Sequence, residues 1–213
     1  MNIVAIVQAR QGSIRFPNKV LQKINNKSLI EILLKRLSRS KNLNKIIIAT
    51  SSKNKNKELC KLVNDLGFDV YNGNESDVLK RYYDASKKSQ ADIIVRITAD
   101  CPLIDPKLLD EIIKLFLKND YDYISNTIVP TFPDGMDIEI MTCQAIKKAY
   151  RKSKKQFDRE HVTPFIKKNK DFKTHNYVNK NDLSHFRLTV DYPEDLDLIK
   201  RLVKEFKNSI LFS

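Results

Sequence analysis

The chain contains 213 residues, a length that suits one domain or one and a half, and 41% of the residues are hydrophobic, which is enough to form a core. No apolar run approaches the roughly 20 residues that span a membrane. The N-terminus has neither the basic segment nor the long apolar run of a signal peptide, so we expect a cytoplasmic protein with no membrane partner.

The net charge of +13 suggests a polyanionic partner, but other features argue against nucleic acid. Lysine outnumbers arginine by 29 to 10 and is distributed along the predicted helices. The sequence has no zinc-finger, RRM or helix-turn-helix pattern. A solvated cationic surface is the simpler explanation, so we expect no nucleic-acid partner.

Up to residue 126, short apolar runs alternate with longer amphipathic stretches. The runs predict strands over residues 3–7, 45–50, 69–71, 91–98 and 121–125. The amphipathic stretches predict helices over residues 28–39, 56–67, 76–89 and 105–119. This alternation with short links predicts an α/β fold with a doubly wound, mostly parallel sheet and helices on both faces.

Residues that favour helix ends mark several of these boundaries. Ser28 is expected to cap the first helix, with Glu31 at the capping-box position. Ser76 and Asp105 are expected to cap the third and fourth helices, and Gly67 to end the second. These punctuating residues support the division into separate helices.

The remainder of the chain is mixed. Strands are predicted over residues 136–142, 171–178 and 186–190. Helices are predicted over residues 143–154 and 193–206, and a helix or turn over residues 159–169. We expect a single domain over residues 1–213, with a small projecting lobe over about 127–180.

The first candidate binding segment is the loop QARQGSIRFPNKVL, residues 8–21, which begins at the end of the first predicted strand. It contains neither the GxxxxGK[ST] nor the GxGxxG pattern of phosphate-binding loops. Backbone N–H groups and the Ser13 hydroxyl can nevertheless bind phosphate oxygens. Three cations, Arg10, Arg15 and Lys19, can neutralise such oxygens. An ordinary surface loop is the alternative, because the density of cations here only matches the chain average.

Two aspartates follow predicted strands elsewhere in the chain. Asp100 comes after the strand over 91–98, and Asp191 comes after the strand over 186–190. Ligands of doubly wound sheets bind beyond the carboxyl ends of the strands. Two carboxylates at that edge suit a Mg²⁺ ion that bridges phosphates. Each aspartate can instead cap a helix or close a turn.

The segment DREHVTPF, residues 158–165, is densely polar at its start. Asp158, Arg159 and Glu160 can recognise an anionic substrate, or they can cap the following turn. His161 as a general base is a further alternative.

These segments together resemble a known family. QARQGSIRFPNKVL resembles the ARxGSxRLPxKxL loop of the CTP-dependent cytidylyltransferases that act on sugar acids, the CMP-Kdo and CMP-neuraminate synthetases. RITADCPLIDP and LTVDYPEDL resemble their GDxPLI and VDTPEDL segments. SNTIVPTFPDGMDIEI, DREHVTPF and LSHFRLTVDYPEDL resemble more closely the branch labelled spore-coat polysaccharide biosynthesis protein F. The similarity runs from residue 1 to about 206 and keeps the order of the motifs.

The resemblance implies a nucleotide-diphospho-sugar transferase fold, which is GT-A-like and Rossmann-like. It implies Mg²⁺-dependent transfer of CMP from CTP to an anionic acceptor with release of pyrophosphate, in surface polysaccharide or glycoconjugate biosynthesis. The acceptor would be an acidic sugar, a sugar phosphate or a phosphonate, because the second half of the chain matches neither synthetase signature. Related enzymes also suggest a homodimer that pairs through the 127–180 lobe.

Carried over by position, the resemblance gives each candidate residue a role. Asp100 and Asp191 would bind Mg²⁺. Catalysis would depend on Arg10, Arg15, Lys19 and Asp100. Nucleotide binding would fall to Ala9, Arg10, Gly12, Ser13, Arg15, Lys19, Ala49, Thr50, Ser51, Asp77 and Arg81. Acceptor binding would fall to Asp134, Asp137, Glu139, Arg159, Glu160, His161 and Arg187.

The loop departs from the family pattern at one turn. The chain has Phe16, Pro17 and Asn18 where the family usually has Leu-Pro-Gly. Asparagine adopts a left-handed backbone more readily than most residues, so we expect the turn to be kept at Asn18.

Two other functions remain open on sequence alone. A glycosyltransferase that uses a nucleotide sugar has the same fold and usually carries a D-x-D at the end of a strand. The spacing occurs at 120–122, where a strand begins, and at 195–197, inside a predicted helix. A non-catalytic basic binding module is the second alternative, and the phosphate loop with its two strand-end aspartates argues against it.

Overall fold

The structure is a computed structural model, and it describes residues 1–207 and 209–212, apart from the side chain of Lys53. Its strands are β1 (Ile3–Gln8), β2 (Lys23–Ile24), β3 (Lys27–Ser28), β4 (Lys45–Thr50), β5 (Asp69–Asn72), β6 (Ile93–Thr98), β7 (Tyr123–Ser125), β8 (Glu139–Thr142) and β9 (Thr174–Asn176). Its helices are α1 (Leu29–Leu37), α2 (Lys57–Asp65), α3 (Val78–Lys88), α4 (Pro106–Lys118), α5 (Cys143–Lys152), α6 (Gln156–His161), α7 (Pro164–Lys168) and α8 (Pro193–Glu205). Among the described residues, no helix combines the length and the apolar character that a bilayer crossing requires.

The central sheet has the strand order β5-β4-β1-β6-β8-β7-β9. The four neighbouring strands β5, β4, β1 and β6 are parallel, and β7 and β9 are parallel to each other. Only β8 runs antiparallel, between β6 and β7. The predicted α/β fold with a doubly wound, mostly parallel sheet is therefore confirmed, whereas the insertion of β8 has no signal in the pattern of elements.

Both faces of the sheet are buried. Ala5 and Val7 of β1 pack with α1, α2 and α4, and the alternate residues Val4 and Ile6 pack with α3 and α5. Full burial of one such aliphatic side chain contributes about 1.5–3 kcal/mol. The sheet is thus packed on both sides, and its carboxyl edge carries the loops that form the candidate site.

Most helix ends lie where the sequence predicts them. The Ser28 hydroxyl and the Asp105 carboxylate each accept a hydrogen bond from a first-turn N–H, which confirms both caps. Gly67 follows α2 with a φ of 82°, a left-handed backbone that ends the helix as predicted.

The predicted cap of α3 is wrong by one residue. The carboxylate of Asp77, rather than the hydroxyl of Ser76, accepts a hydrogen bond from the N–H of Lys80, at 2.9 Å. The Oδ1 atom of Asn74 accepts from the N–H groups of both Ser76 and Asp77, which places Ser76 in a turn before the helix.

The strand predicted over 186–190 is also wrong. Within this segment Arg187 forms only an isolated bridge, with Asp134. The N–H of Leu188 donates to the carbonyl of Asp134 at 2.6 Å, and the N–H of Val190 donates to the carbonyl of Asp100 at 2.8 Å. The segment is extended because it packs between the loops at Asp134 and Asp100. Its alternation of apolar and polar residues therefore resembles that of a strand.

Candidate active site

A cleft of about 420 Å³ opens at the edge of the sheet where β1 and β6 end. These strands are parallel, so their carboxyl ends deliver the following loops to one place. The cleft is lined by Gln8, Ala9, Arg10, Ser13, Ile14, Arg15, Lys19, Val20, Thr98, Ala99, Asp100 and Asp191. The structure thus brings together the loop cations and the two aspartates that are far apart in sequence.

Hydrogen bonds shape the loop after β1. The carbonyl of Gln11 accepts from the N–H groups of Ser13, at 2.9 Å, and Asn18, at 3.0 Å, which folds the loop back on itself. Asn56 anchors its base, because the side-chain Oδ1 accepts from the N–H of Gln11 at 2.8 Å. Asn18 has a φ of 55°, the left-handed conformation predicted for it. A short 3₁₀ turn begins directly afterwards with Lys19, whose side chain enters the cleft.

Lys19 connects the two aspartates. Its Nζ lies 3.0 Å from Oδ2 of Asp100 and 2.9 Å from Oδ1 of Asp191. Arg15 also contacts Asp191, with Nη2 at 2.8 Å from the same Oδ1, and its guanidinium lies 5.2 Å from the centre of the Tyr192 ring. Cations of the loop and carboxylates of the opposite side therefore form one ionic cluster.

Main-chain contacts explain why these two aspartates meet. The carbonyl of Asp100 accepts from the N–H of Val190, at 2.8 Å, and from the Thr189 hydroxyl, at 3.1 Å. Because Asp191 directly follows Val190, the same contacts place its side chain beside that of Asp100.

Arg187 extends the ionic cluster away from the loop. Its guanidinium lies 2.6 Å from Asp134, 3.0 Å from Asp191 and 3.2 Å from Asp195. Gly135 permits this close approach, since its φ is 104° and a Cβ there would lie 2.5 Å from a main-chain nitrogen of the neighbouring segment.

The ionic cluster controls the protonation of Asp191. Burial raises the pKa of this carboxyl, but contact with Lys19, followed by Arg187 and Arg15, outweighs burial and holds the pKa below its usual value. Asp191 is therefore ionised at neutral pH and can bind a cation.

The two aspartates also fit a nucleotide-borne metal ion. One ammonium nitrogen contacts both Asp100 and Asp191, so their oxygens converge on a common point. Within residues 1–207 and 209–212, no cluster of three or more His, Cys, Asp or Glu side chains can hold a metal by itself. Mg²⁺ is usually bound by one or two carboxylates together with substrate phosphates and water. The site therefore suits an ion that arrives with a triphosphate.

The residues expected beside the cytidine lie beneath the loop. Ala49 and Thr50 are completely buried, and Ser51 is almost so. Of the described residues that line the cleft, none is from this group. The hydroxyl of Ser51 accepts from Nδ2 of Asn56 at 3.0 Å, and Asn56 in turn holds Gln11. These residues support the loop from below.

Arg10 lines the cleft, whereas Arg81 is not among the described residues that line it. Arg10 is exposed at the rim. Arg81 is buried and donates from Nη1 to the carbonyl of Asn74 at 2.7 Å. Burial lowers the pKa of Arg81, and the positive charge of Arg10 acts in the same direction.

Asp77 and Arg159 bind each other rather than lining the cleft. Nε of Arg159 lies 2.9 Å from Oδ2 of Asp77. The same guanidinium donates to the carbonyls of Tyr150 and Ser153, both at 3.2 Å. In this arrangement the pair joins the start of α3 to the end of α5.

The rest of the 158–165 segment is also remote from the cleft. Glu160 and His161 are exposed on α6, and the His161 ring packs 4.4 Å from that of Phe157. No residue of this segment is among the described residues that line the cleft.

Glu139 lies in a buried network, the Glu139 cluster, which comprises Arg96, Tyr123, Glu139, Thr163 and Lys167. Its carboxylate pairs with Arg96 and accepts from Tyr123 at 2.5 Å and Thr163 at 2.7 Å. Lys167 lies 3.0 Å away. Burial raises the pKa of Glu139, but Arg96 and then Lys167 outweigh burial and lower it to about 2. This carboxylate is satisfied by the protein itself.

A second cavity of about 490 Å³ adjoins the cleft. It is lined by Asn126, Thr127, Pro130, Phe132, Asp134, Asp137 and Ser184. Arg187 links the two sites, because it pairs with Asp134 of the cavity and with Asp191 of the cleft. Burial raises the pKa of Asp137 to about 6, and the nearby charge of Asp134 adds to this effect. The cavity is the candidate place for a second substrate.

The D-x-D sequences form other contacts. Asp120 pairs with Lys173, and Asp122 accepts from the N–H of the same lysine at 2.9 Å. Asp195 accepts N–H groups at the start of α8, and Asp197 lies on that helix. Neither pair presents two carboxylates to the cleft.

Sequence reasoning missed two residues that shape the site, Asn56 and Tyr192. Asn56 stands in the run SSKNKNK, where nothing distinguishes one asparagine from its neighbours. Tyr192 precedes Pro193, which predicts only the start of a helix, but its ring supports Arg15. An aromatic residue directly after the candidate metal ligand Asp191 is the signal that points to it.

Comparisons with known proteins agree with this geometry. A family model described as Cytidylyltransferase matches residues 4–212. An uncharacterized protein of Methanocaldococcus jannaschii is 41% identical over 97% of this chain and 85% of its own length. The spore coat polysaccharide biosynthesis protein SpsF of Bacillus subtilis is 31% identical over 96% of this chain and 87% of its own. A solved cytidylyltransferase from Leptospira borgpetersenii superposes with a TM-score of 0.96 at 36% identity, over 100% of this chain and 90% of that one. The chain belongs to the cytidylyltransferase family.

Proposed function

We propose that the protein transfers CMP from CTP to an acidic sugar, a sugar phosphate or a phosphonate, with release of pyrophosphate. The observation that carries the proposal is the cleft in which Lys19 and Arg15 contact Asp100 and Asp191. Cations suited to a triphosphate stand there beside carboxylates suited to a metal ion. Family membership supports CTP as the donor, and the name of the Bacillus relative supports a role in polysaccharide or glycoconjugate biosynthesis.

The reaction would be an in-line displacement at the α-phosphorus of CTP. An acceptor oxygen forms the new bond to phosphorus, the bond to the bridging oxygen breaks, and pyrophosphate leaves with the electron pair. Arg10, Arg15 and Lys19 would neutralise the phosphate charge, and Ser13 with the backbone N–H groups around Gly12 would orient it. An acceptor oxygen that is already ionised needs no base.

Asp100 and Asp191 would hold Mg²⁺. The bound ion would supply further neutralisation of the phosphate oxygens. Arg187 would keep Asp191 ionised and in place, and Tyr192 would orient Arg15 by stacking. Ala9, which lines the cleft, would lie next to the nucleoside, and the buried Ala49, Thr50, Ser51 and Arg81 would support that place indirectly.

The acceptor would occupy the cavity next to the cleft. Its ionisable lining consists of Asp134 and Asp137, so hydroxyl groups of the acceptor would face these carboxylates. The anionic group of the acceptor would point to Arg187, which stands between the cavity and Asp191. Glu139 and Arg159 would act indirectly, by fixing the walls, and Glu160 and His161 remain candidates on a separate surface.

We also propose that residues 1–213 form one domain that assembles as a homodimer through the 127–180 segment. Residues 143–173 contain 11 of the 39 lysines and arginines but only three of the 26 acids. Copies that pair near this surface bring like charges together, so added salt should strengthen the dimer. Light scattering at low and high salt tests the assembly; a monomer at both salt concentrations contradicts it.

A pyrophosphate-release screen tests the activity. Each of the four nucleoside triphosphates is combined with acidic sugars, sugar phosphates and phosphonates, in the presence of Mg²⁺. Release that requires both CTP and one of these acceptors supports the proposal. Release of pyrophosphate with another nucleotide but not with CTP contradicts the proposal. Transfer of a sugar from a nucleotide sugar without release of pyrophosphate contradicts it as well.

A further inference from the structure

Lys19 occupies an unusual position for a phosphate-binding residue. Its side chain is only 12% exposed, and its ammonium group lies between the carboxylates of Asp100 and Asp191. The left-handed Asn18 leads directly into the 3₁₀ turn that starts with Lys19, so the main chain brings the base of this side chain to the cleft. The side chain itself is flexible, and its ammonium group is held by the two aspartates.

The same point in space suits a divalent cation. Mg²⁺ requires oxygen ligands at about 2.0–2.1 Å, so both carboxylates would have to approach the place where the Lys19 nitrogen now stands. Two cations cannot share that place, because each would repel the other across less than a van der Waals contact. Asp191 keeps Arg15 and Arg187 as partners when Lys19 leaves, whereas Asp100 loses the cation that it contacts.

We propose that Lys19 holds the cation position between Asp100 and Asp191 in the nucleotide-free enzyme and leaves it when a triphosphate binds. The phosphate oxygens offer the ammonium group an alternative partner, and its departure exposes both carboxylates to the metal ion. Nucleotide and metal then bind cooperatively, and the empty enzyme resists metal. This inference rests on the proposed function, because it assumes that the cleft takes a triphosphate.

Thermodynamic linkage makes the inference testable. If Lys19 competes with the metal, its removal must tighten metal binding in the absence of nucleotide. If Lys19 also binds phosphate, its removal must weaken nucleotide binding in the absence of metal. A residue that served only to bind phosphate would leave metal affinity unchanged, and one that served only the fold would weaken both.

The experiment measures the two affinities separately in the full chain. Mn²⁺, a paramagnetic substitute for Mg²⁺, is titrated into nucleotide-free enzyme and free Mn²⁺ is followed by electron paramagnetic resonance. CTP binding is measured by calorimetry in the presence of a metal chelator. The variants are Lys19→Met and Lys19→Arg, with Lys35→Met as the control, because Lys35 pairs with Glu31 on α1, outside the cleft. Thermal unfolding verifies that each variant is folded.

We expect Lys19→Met to bind Mn²⁺ at least about 5-fold more tightly than the wild type and to bind CTP more weakly. Lys19→Arg, which keeps the charge, and Lys35→Met should retain the weak Mn²⁺ binding of the wild type. Equal or weaker Mn²⁺ binding by folded Lys19→Met overturns the inference. CTP binding by the wild type would still support the proposed function in that case. Absence of CTP binding by the wild type overturns both, and weaker binding of both ligands by Lys19→Met shows that the residue serves the fold alone.

Discussion

Asp191 and Glu139 each gather several cations, but they do so in contrasting regions of the molecule. Asp191 follows an extended loop, and its partners Arg15 and Arg187 have side chains that are 55% and 42% exposed. Glu139 begins a strand in the middle of the sheet, and its side chain is only 4% exposed. The exposed cations around Asp191 can be redirected to a ligand, whereas Arg96 and Lys167 around Glu139 are only 16% and 26% exposed.

The difference shows how to separate a binding cluster from a structural one. Both have short ion pairs and both depress the pKa of a carboxyl. The distinguishing feature is where the partners come from. The cleft draws its charges from loops at the carboxyl edge, and the Glu139 cluster draws Arg96 from the adjacent strand β6 and Lys167 from α7. Mutations in the first region should affect activity, and mutations in the second should affect folding.

The largest expected effect on folding comes from Glu139→Gln. The variant leaves Arg96 and Lys167 without the buried anion that they share, which should reduce the free energy of unfolding by about 3–5 kcal/mol. Urea denaturation at pH 7 measures the loss. Glu160→Gln on the exposed side of α6 is the matched control and should change stability by less than about 0.5 kcal/mol.

The same variant should change the acid limb of the stability curve. The folded-state pKa of Glu139 is about 2, below its ordinary value of 4.5, so its stabilisation is present above about pH 4.5 and is lost as pH falls towards 2. Glu139→Gln lacks this contribution at every pH, so its stability should decline less between those values. An unchanged acid limb would mean that the carboxylate is not held ionised in the core.

Asp100→Asn should have the opposite profile. It removes a carboxylate from the cleft, and we expect a loss of about 100- to 1,000-fold in CTP-dependent pyrophosphate release. Stability should change by no more than about 1 kcal/mol, because Lys19 keeps its ion pair with Asp191 when Asp100 loses its charge. Steady-state kinetics and urea denaturation of the same preparation test both statements. A folded Asp100→Asn enzyme with full activity would remove Asp100 from the site.

The sequence predicts features that depend on neighbouring residues better than contacts between distant ones. Periodicity and end-capping residues locate most of the helices and the parallel strands. Asp100 and Asp191 meet in the cleft, but Asp191 follows an extended loop and not the predicted strand, so contacts of Thr189 and Val190 with the Asp100 carbonyl, rather than the edge rule, bring them together. The left-handed backbone of Asn18 is confirmed because it depends on local chemistry. Contacts between residues that are distant in sequence have no local signal. The sequence therefore does not predict the insertion of β8, the ion pair between Asp77 and Arg159 or the support of the loop by Asn56.

Gly135→Ala should disturb the contact through which Arg187 links the cleft to the second cavity. The added Cβ would lie 2.5 Å from a backbone nitrogen and 2.6 Å from a backbone carbon of residues 188–189, at a φ of 104° that alanine adopts poorly. We expect a loss of stability of about 1–3 kcal/mol and a weaker contact between Asp134 and Arg187. Gly12→Ala is the matched control for stability, since a Cβ at Gly12 meets nothing within 4 Å. Equal unfolding free energies for the two variants would contradict the close approach at Gly135.

Asp137→Asn should stabilise the fold, and only at higher pH. The folded-state pKa of Asp137 is raised to about 6, above its ordinary value of 3.8, so the unfolded chain ionises first as pH rises. Ionisable Asp137 therefore weakens the wild-type fold progressively between pH 3.8 and 6, and the penalty is complete above about pH 6. Its upper limit is about 3 kcal/mol, and contact with solvent should reduce it to nearer 1 kcal/mol.

Urea denaturation at pH 7.5 and at pH 4 measures this gain. Asp137→Asn should be more stable than the wild type at pH 7.5 and equal to it at pH 4, and the exposed Asp197→Asn should show no such dependence. If Asp137→Asn is less stable than the wild type at pH 7.5, the carboxylate has a favourable partner in the fold. That result would contradict the proposal that Asp137 is available to bind hydroxyl groups of the acceptor. If Asp137→Asn is more stable at pH 7.5, the carboxylate weakens the fold, and in the proposed reaction contact with the acceptor would offset that cost.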